Sequence, residues 1–475
     1  MTRLSAVSLA AVLAVLVPAS RAPAQESETE RTSRLVDEIK REVEEQRGLE
    51  FKEDFDRRVF SPEDIRKMAL EKMERDLPEE TLRQISSLYA RVGFFPLDLD
   101  LLSAFADLLE SGAAGFYDPD EKVLYVLRGF SPRGARPIIF HELIHALEDQ
   151  YFDLGALLRE TLEVTDRGLA IRAVVEGSAT YYMQRYMQER PELMLALMKD
   201  VAKTMAEQRE AMNRIPVAIS VEMGIFPYAE GLKFVTGTTR GEAEGIAGLY
   251  GDLPVSTEQV LHPEKYRKDG DFPYEIELGD LSEALPPGWS PSRRDRLGEL
   301  LIGVLLNEFE GGANDRKLAR ITAPMMSGMK FRGTTKAASE GWDGDLLAGF
   351  EGPGGATAFL WASRWDSEED AREFATAYKQ GLSYKWETLD LSPETAQVEV
   401  RGDRVLIVEG FPAEAMYRIV AAAWDGLTFR PDPRDRDDQE ARSARLRERL
   451  EREILELRRE IREQREARER LEPPR

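Results

Sequence analysis

Two histidines and a glutamate stand together at His141-Glu142-Leu143-Ile144-His145, in a chain with only three histidines among its 475 residues. Positions i and i+4 of an α-helix share one face about a turn apart, so both imidazoles can grip one tetrahedral zinc ion. Glu142 sits beside them, where its carboxylate can reach a water on the metal and act as a general base. Phe140, Leu143, Ile144 and Leu147 surround the pair with apolar residues, so the helix should be largely buried and its histidines should need partners.

A catalytic zinc takes three protein ligands and keeps a fourth position open. The continuation H-x-x-G-x-x-H is absent, because Glu148 and Tyr151 occupy the corresponding places. Glu176 is the expected third ligand. It lies in the apolar helical run Ala173–Thr180, where a carboxylate needs a cation. Gly177 and Ala179 are small and would let this helix approach the first one closely. An ion pair with Arg172 is the alternative for Glu176. Asp149, four residues past His145, and Thr180, one turn past Glu176, are candidates to hold a ligand in place, with solvated or capping roles as the alternative. For stabilising a developing oxyanion the candidates are His262, Tyr266 and Tyr228, with Tyr181 and Tyr182 behind them.

These residues resemble the zincin metallopeptidases of the gluzincin type, in which H-E-x-x-H is followed by a glutamate ligand on the next helix. The match lies at His141, Glu142, His145 and Glu176. Gly115–Pro119, His141–Asp149, Val175–Gly177, Ser256–Gln259 and His262–Tyr266 add a likeness to exported bacterial zincin-like proteins, over residues 110–270. The resemblance implies one zinc ion per chain, a peptide or protein substrate and hydrolysis of peptide bonds. It also implies an edge strand that pairs with an extended substrate. Lys122–Leu127, with Val123 and Tyr125, is placed in sequence to be that strand, or else an ordinary structural hairpin.

The elements that must position these groups read as follows. Residues 25–110 are helical and charged. Ser61-Pro62-Glu63-Asp64 is a helix start, with a capping serine, proline at the first position and acids behind it. Residues 111–287 form the zincin-like catalytic domain: a hairpin turning at Asp118–Glu121, a loop at Ser131–Pro137, apolar helices at Ile138–Phe152 and Thr165–Met187, then a stretch punctuated by Gly and Pro. Residues 288–429 read as a C-terminal α/β module that begins with a helix at Ser290–Glu308. Residues 430–475 are a charged linker and helical tail. There Leu450, Ile454, Leu457 and Ile461 repeat at 4-3-4 spacing and offer a seam for self-association. The expected fold class is α+β, mostly helical with a small sheet.

Residues 1–24 read as a secretory signal peptide: Arg3, an apolar run from Leu4 to Val17, and Ala22-Pro23-Ala24 before the cleavage point. The expected location is periplasmic or extracellular, with no integral span after cleavage. There is no cysteine, so disulfides and cysteine-based zinc sites are excluded. A net charge of −23 argues against nucleic acid as a partner. The competing expectation is a catalytically inactive zincin-fold binding or scaffold protein of the cell envelope, with a structural metal or none.

Overall fold

The computed structural model describes residues 28–112, 115–128, 131–160, 164–207, 215–267, 271–309, 338–389 and 396–432, together with Arg452 and Arg459. The expected signal peptide and nearly all of the helical tail lie outside the described residues. The fold is α+β. Among the described residues no helix is long and apolar enough to cross a membrane.

The N-terminal segment opens with α1 (Glu28–Arg47), continues through β1 (Asp56–Phe60), and then forms α2 (Pro62–Asp76), α3 (Glu79–Val92) and α4 (Leu101–Gly112). Ser61 caps α2 as the sequence predicts: its hydroxyl accepts from the Asp64 amide while the Asp64 carboxylate accepts from the Ser61 amide. The strand β1 was not expected, since residues 25–110 read as helical. Its five residues are charged at one end and only partly buried, so they carry no alternating pattern to mark them.

The hairpin β2 (Gly115–Asp118) and β3 (Val123–Leu127) forms as predicted, but β3 is not an edge strand. The sheet runs β1-β3-β2, with β1 parallel and β2 antiparallel to β3. Val123 and Tyr125 therefore pair on both sides, and the edges of the sheet are β1 and β2.

Next come α5 (Pro132–Phe152), α6 (Leu154–Glu160), α7 (Thr165–Gln188) and α8 (Pro191–Glu207). The predicted loop at Ser131–Pro137 is the first turn and a half of α5. Ser131 accepts from the Gly134 amide and Pro132 occupies a position that needs no amide donor, whereas Pro137 lies inside the helix and offers no amide to the Arg133 carbonyl. A π-helical turn (Val221–Ile225) leads into α9 (Phe226–Thr239), followed by α10 (Ala243–Leu249), α11 (Thr257–Leu261) and α12 (Pro263–Arg267).

The C-terminal module contains β4 (Glu275–Leu278), β5 (Ser290–Asp295), α13 (Gly298–Phe309), β6 (Trp342–Glu351), β7 (Thr357–Trp365), α14 (Glu368–Leu389), β8 (Ala396–Arg401), β9 (Arg404–Glu409), α15 (Ala413–Gly426) and β10 (Leu427–Arg430). Its main sheet is ordered β5-β6-β7-β9-β8 and is antiparallel throughout. The helix expected from Ser290 begins only at Gly298; the residues before it pair with β6. Alternation along β6 and β7 covers both faces. Leu347, Phe359 and Trp361 join the main core, while Leu346, Ala348 and Leu360 pack in a second core with α15. The main core is continuous from Val36 on α1 to Ile407 on β9, so N-terminal helices, central helices and sheet share one interior.

Candidate metal centre

Helix α5 presents His141, Glu142 and His145 on its inner surface, all buried. Helix α7 presents Glu176. The Nε2 atoms of the two histidines lie 3.0 Å apart, and Glu176 Oε2 lies 3.1 Å from His141 Nε2 and 3.3 Å from His145 Nε2. Ligands 2.0–2.1 Å from a tetrahedral zinc ion stand about 3.3 Å from one another. Three ligand atoms so close, two from imidazoles and one from a carboxylate, fit that donor set. The Nδ1 atoms of both histidines are buried without a hydrogen-bond partner among the described residues, so no neighbour there fixes which ring nitrogen carries the proton.

Without a cation the charges settle among themselves. Burial works against an ionised Glu176, yet the charges and hydrogen bonds of His145 and His141 hold its carboxyl well below the usual range. Burial likewise opposes a charged His145, but Glu176 carries it up to about 9. Glu142 goes the other way: burial raises it, the two histidines offset part of that, and Glu176 adds to it. Its Oε2 accepts a hydrogen bond of 2.9 Å from the Tyr117 amide, which ties the carboxylate to edge strand β2.

Tyr228, on the first turn of α9, completes the cluster. Its ring stacks on His141 with centroids 5.9 Å apart, and its hydroxyl hydrogen-bonds Glu176. Desolvation at its hydroxyl and the negative charges of Glu176 and Glu142 push its pKa well up, although the residue as a whole is 37% exposed, so it remains a proton donor. Arg172, the alternative partner of Glu176, instead directs its charge at Glu222 and Tyr228.

Other expected site residues lie in different surroundings. His262 caps α11 and pairs with Glu299 at 3.0 Å and Glu264 at 3.7 Å, neither of which belongs to the triad. Tyr266 donates to the Asp252 carbonyl and packs edge-on against Phe234. Tyr181 donates to the Gly241 carbonyl, and Tyr182 is buried beside Arg47. Asp149 accepts from Tyr117 and Lys122, not from a histidine, because it points along α5 toward the hairpin. The Thr180 hydroxyl is buried without a hydrogen-bond partner among the described residues. Ser256–Gln259 is a structural clasp: Thr257 donates twice to Asp166 at the start of α7.

Two contributors were not expected. Tyr117 acts through its backbone, which leaves no mark on a residue pattern. Glu148 is fully buried one turn past His145 and accepts from Arg47 of α1 at 3.2 Å, Ser178 at 2.7 Å and Tyr250 at 2.6 Å. Like Glu176, it is a carboxylate in an apolar helix, and that signal could have found it.

A family described as a domain of unknown function (DUF8575) matches residues 287–420, the C-terminal module rather than the histidine-bearing helices. No curated protein and no solved structure matches the chain.

Proposed function

We infer that this chain is an exported zinc metallopeptidase whose metal is held by His141, His145 and Glu176. The observation that carries the reading is the convergence of two imidazole nitrogens and one carboxylate oxygen within 3.3 Å of one another, with a second carboxylate, Glu142, on the same helix face. A zinc ion there supplies Lewis acidity, polarising the scissile carbonyl and lowering the pKa of a water to about 7.

The remaining chemistry belongs to the chain. Glu142, held by the Tyr117 amide, takes the proton from the attacking water and returns it to the leaving amine. Tyr228 donates its hydroxyl proton in a hydrogen bond to the oxyanion as the carbonyl carbon becomes tetrahedral. The outer edge of β2, apart from the Tyr117 amide that Glu142 already occupies, is the strand edge an extended substrate would meet, the role first expected of β3.

The test is metal analysis of the purified chain together with a peptide-cleavage assay with and without chelator. One zinc per chain and chelator-sensitive cleavage are expected. Absence of bound metal, or cleavage undiminished in Glu142→Ala, would overturn the reading.

A further inference from the structure

A cavity of about 550 Å³ lies near the candidate metal centre without being lined by any of its ligands: Tyr117, whose amide holds Glu142, and Arg172, one turn before Glu176, both line it. Four consecutive residues, Phe116 to Pro119, form one wall. Side chains of a strand alternate between faces, so a wall of consecutive residues meets the edge of β2. The opposite wall is α7. Leu169 and Arg172 line the cavity, and Glu176 follows one turn after Arg172, about 6 Å further along the axis. The cavity therefore runs along the first two turns of α7 and stops about one turn short of Glu176, beside the strand that carries the Tyr117 amide.

Its roof comes from the N-terminal helices. Met68 and Met73 of α2, Leu82 of α3 and Phe105 of α4 make it predominantly apolar. Its volume falls in the range that holds a drug-sized ligand, more than one side chain. Inside it lies Glu222, on the π-helical turn. Glu222 Oε1 is buried with no hydrogen-bond partner among the described residues. Burial pushes this carboxyl up to about 8, and Arg172 offsets only part of that. At neutral pH it is an uncharged acid, able both to donate and to accept. π-helical turns recur at functional sites.

We propose that this cavity selects substrate: it takes alternate apolar side chains of an extended peptide lying along β2, with Glu222 hydrogen-bonding a peptide group. The proposal rests on the metallopeptidase reading for its substrate class. In an extended chain, residues i and i+2 point the same way, which lets two apolar side chains enter one cavity together. The N-terminal helices then set specificity, although none of them carries a metal ligand.

The experiment measures binding of two fluorescein-labelled octapeptides to the full chain carrying Glu142→Ala, so that neither is consumed. One peptide alternates Leu with Ser; the other has Glu at each Leu position. The apolar peptide should bind at least about tenfold more tightly, and Met73→Trp, which fills the cavity, should abolish that preference while leaving metal content unchanged. Met68→Trp on the same helix replaces it if Met73→Trp fails to fold by circular dichroism. Equal binding of the two peptides, or undiminished preference in the filled variant, overturns the proposal. So does tighter binding of laurate that displaces the peptide, which would mark a lipid site. Failure of the metallopeptidase reading has a different signature: no cleavage of either peptide by the unsubstituted zinc-loaded chain, with cavity-dependent binding intact.

Discussion

Gly177 and Gly231 meet backbone to backbone where α7 crosses α9: a Cβ built on Gly177 would fall inside the van der Waals envelope of the Gly231 carbonyl. Gly177 does allow a close helix approach, but the helix it approaches is α9. That contact holds Glu176, next to Gly177, against Tyr228, one turn before Gly231. Gly177→Ala should push the helices apart, destabilise the fold by about 1–3 kcal/mol as overpacking does, and weaken zinc binding. Thermal unfolding and zinc titration check it; an unchanged zinc affinity would argue that α9 does not position the carboxylate.

Glu142→Ala should keep one zinc per chain and lose about 10²–10⁴ in turnover, the contribution expected of a positioned base. His141→Ala should lose both metal and turnover. Measuring zinc content alongside cleavage separates the two roles, and a Glu142→Ala chain lacking metal would mean that this carboxylate is a ligand.

Tyr228→Phe keeps the ring stacked on His141 and removes the hydroxyl. The expected result is a fall of about 10²–10³ in kcat with little change in KM or zinc content. A change confined to KM would assign Tyr228 to substrate binding.

Arg47 and Glu148 form an ion pair with both side chains almost entirely out of solvent. Arg47→Ala leaves the carboxylate buried without its cation and should cost about 3–5 kcal/mol. The double variant Arg47→Leu/Glu148→Gln should recover much of the loss, because the amide that replaces the carboxylate carries no charge and keeps an acceptor oxygen for Ser178 or Tyr250. Unfolding in denaturant measures both.

Stability should also report on Glu222. Its ordinary pKa is 4.5 and its folded value is about 8. Below 4.5 the group is protonated in both states. Between 4.5 and 8 the unfolded chain releases a proton that the folded chain retains, so stability from this group falls as pH rises through that window. Glu222→Gln removes the titration, so its melting temperature relative to the unsubstituted chain should climb from pH 4.5 to 8 and then level off. A difference that is flat with pH would mean that the carboxyl is solvated.

The convergence of His141, His145 and Glu176 was legible because each member broke a pattern: two of three histidines at helical spacing, and a carboxylate inside an apolar run. The hairpin and the α+β class were legible from alternation and turn residues. What escaped notice depends on partners distant in the chain. The pairing of β1 with β3, and hence the central place of Val123 and Tyr125, joins segments far apart in sequence and leaves only a weak local pattern. His262 had the right chemistry, yet its neighbour Glu299 belongs to α13 and draws it into a separate ion-paired cluster. Ser290–Asp295 pairs with β6 although its local composition suggested a helix.

Strand β1 and the Arg47 side chain have a bearing on maturation. Many secreted proteases are made as zymogens and become active when a leading segment is clipped away. Here the leading segment donates a sheet partner to β3 and a guanidinium to the interior beside the histidine helix. Cutting it off would take a strand from the sheet and a cation from the core, so under the metallopeptidase proposal this segment is a permanent part of the fold and not a removable pro-segment.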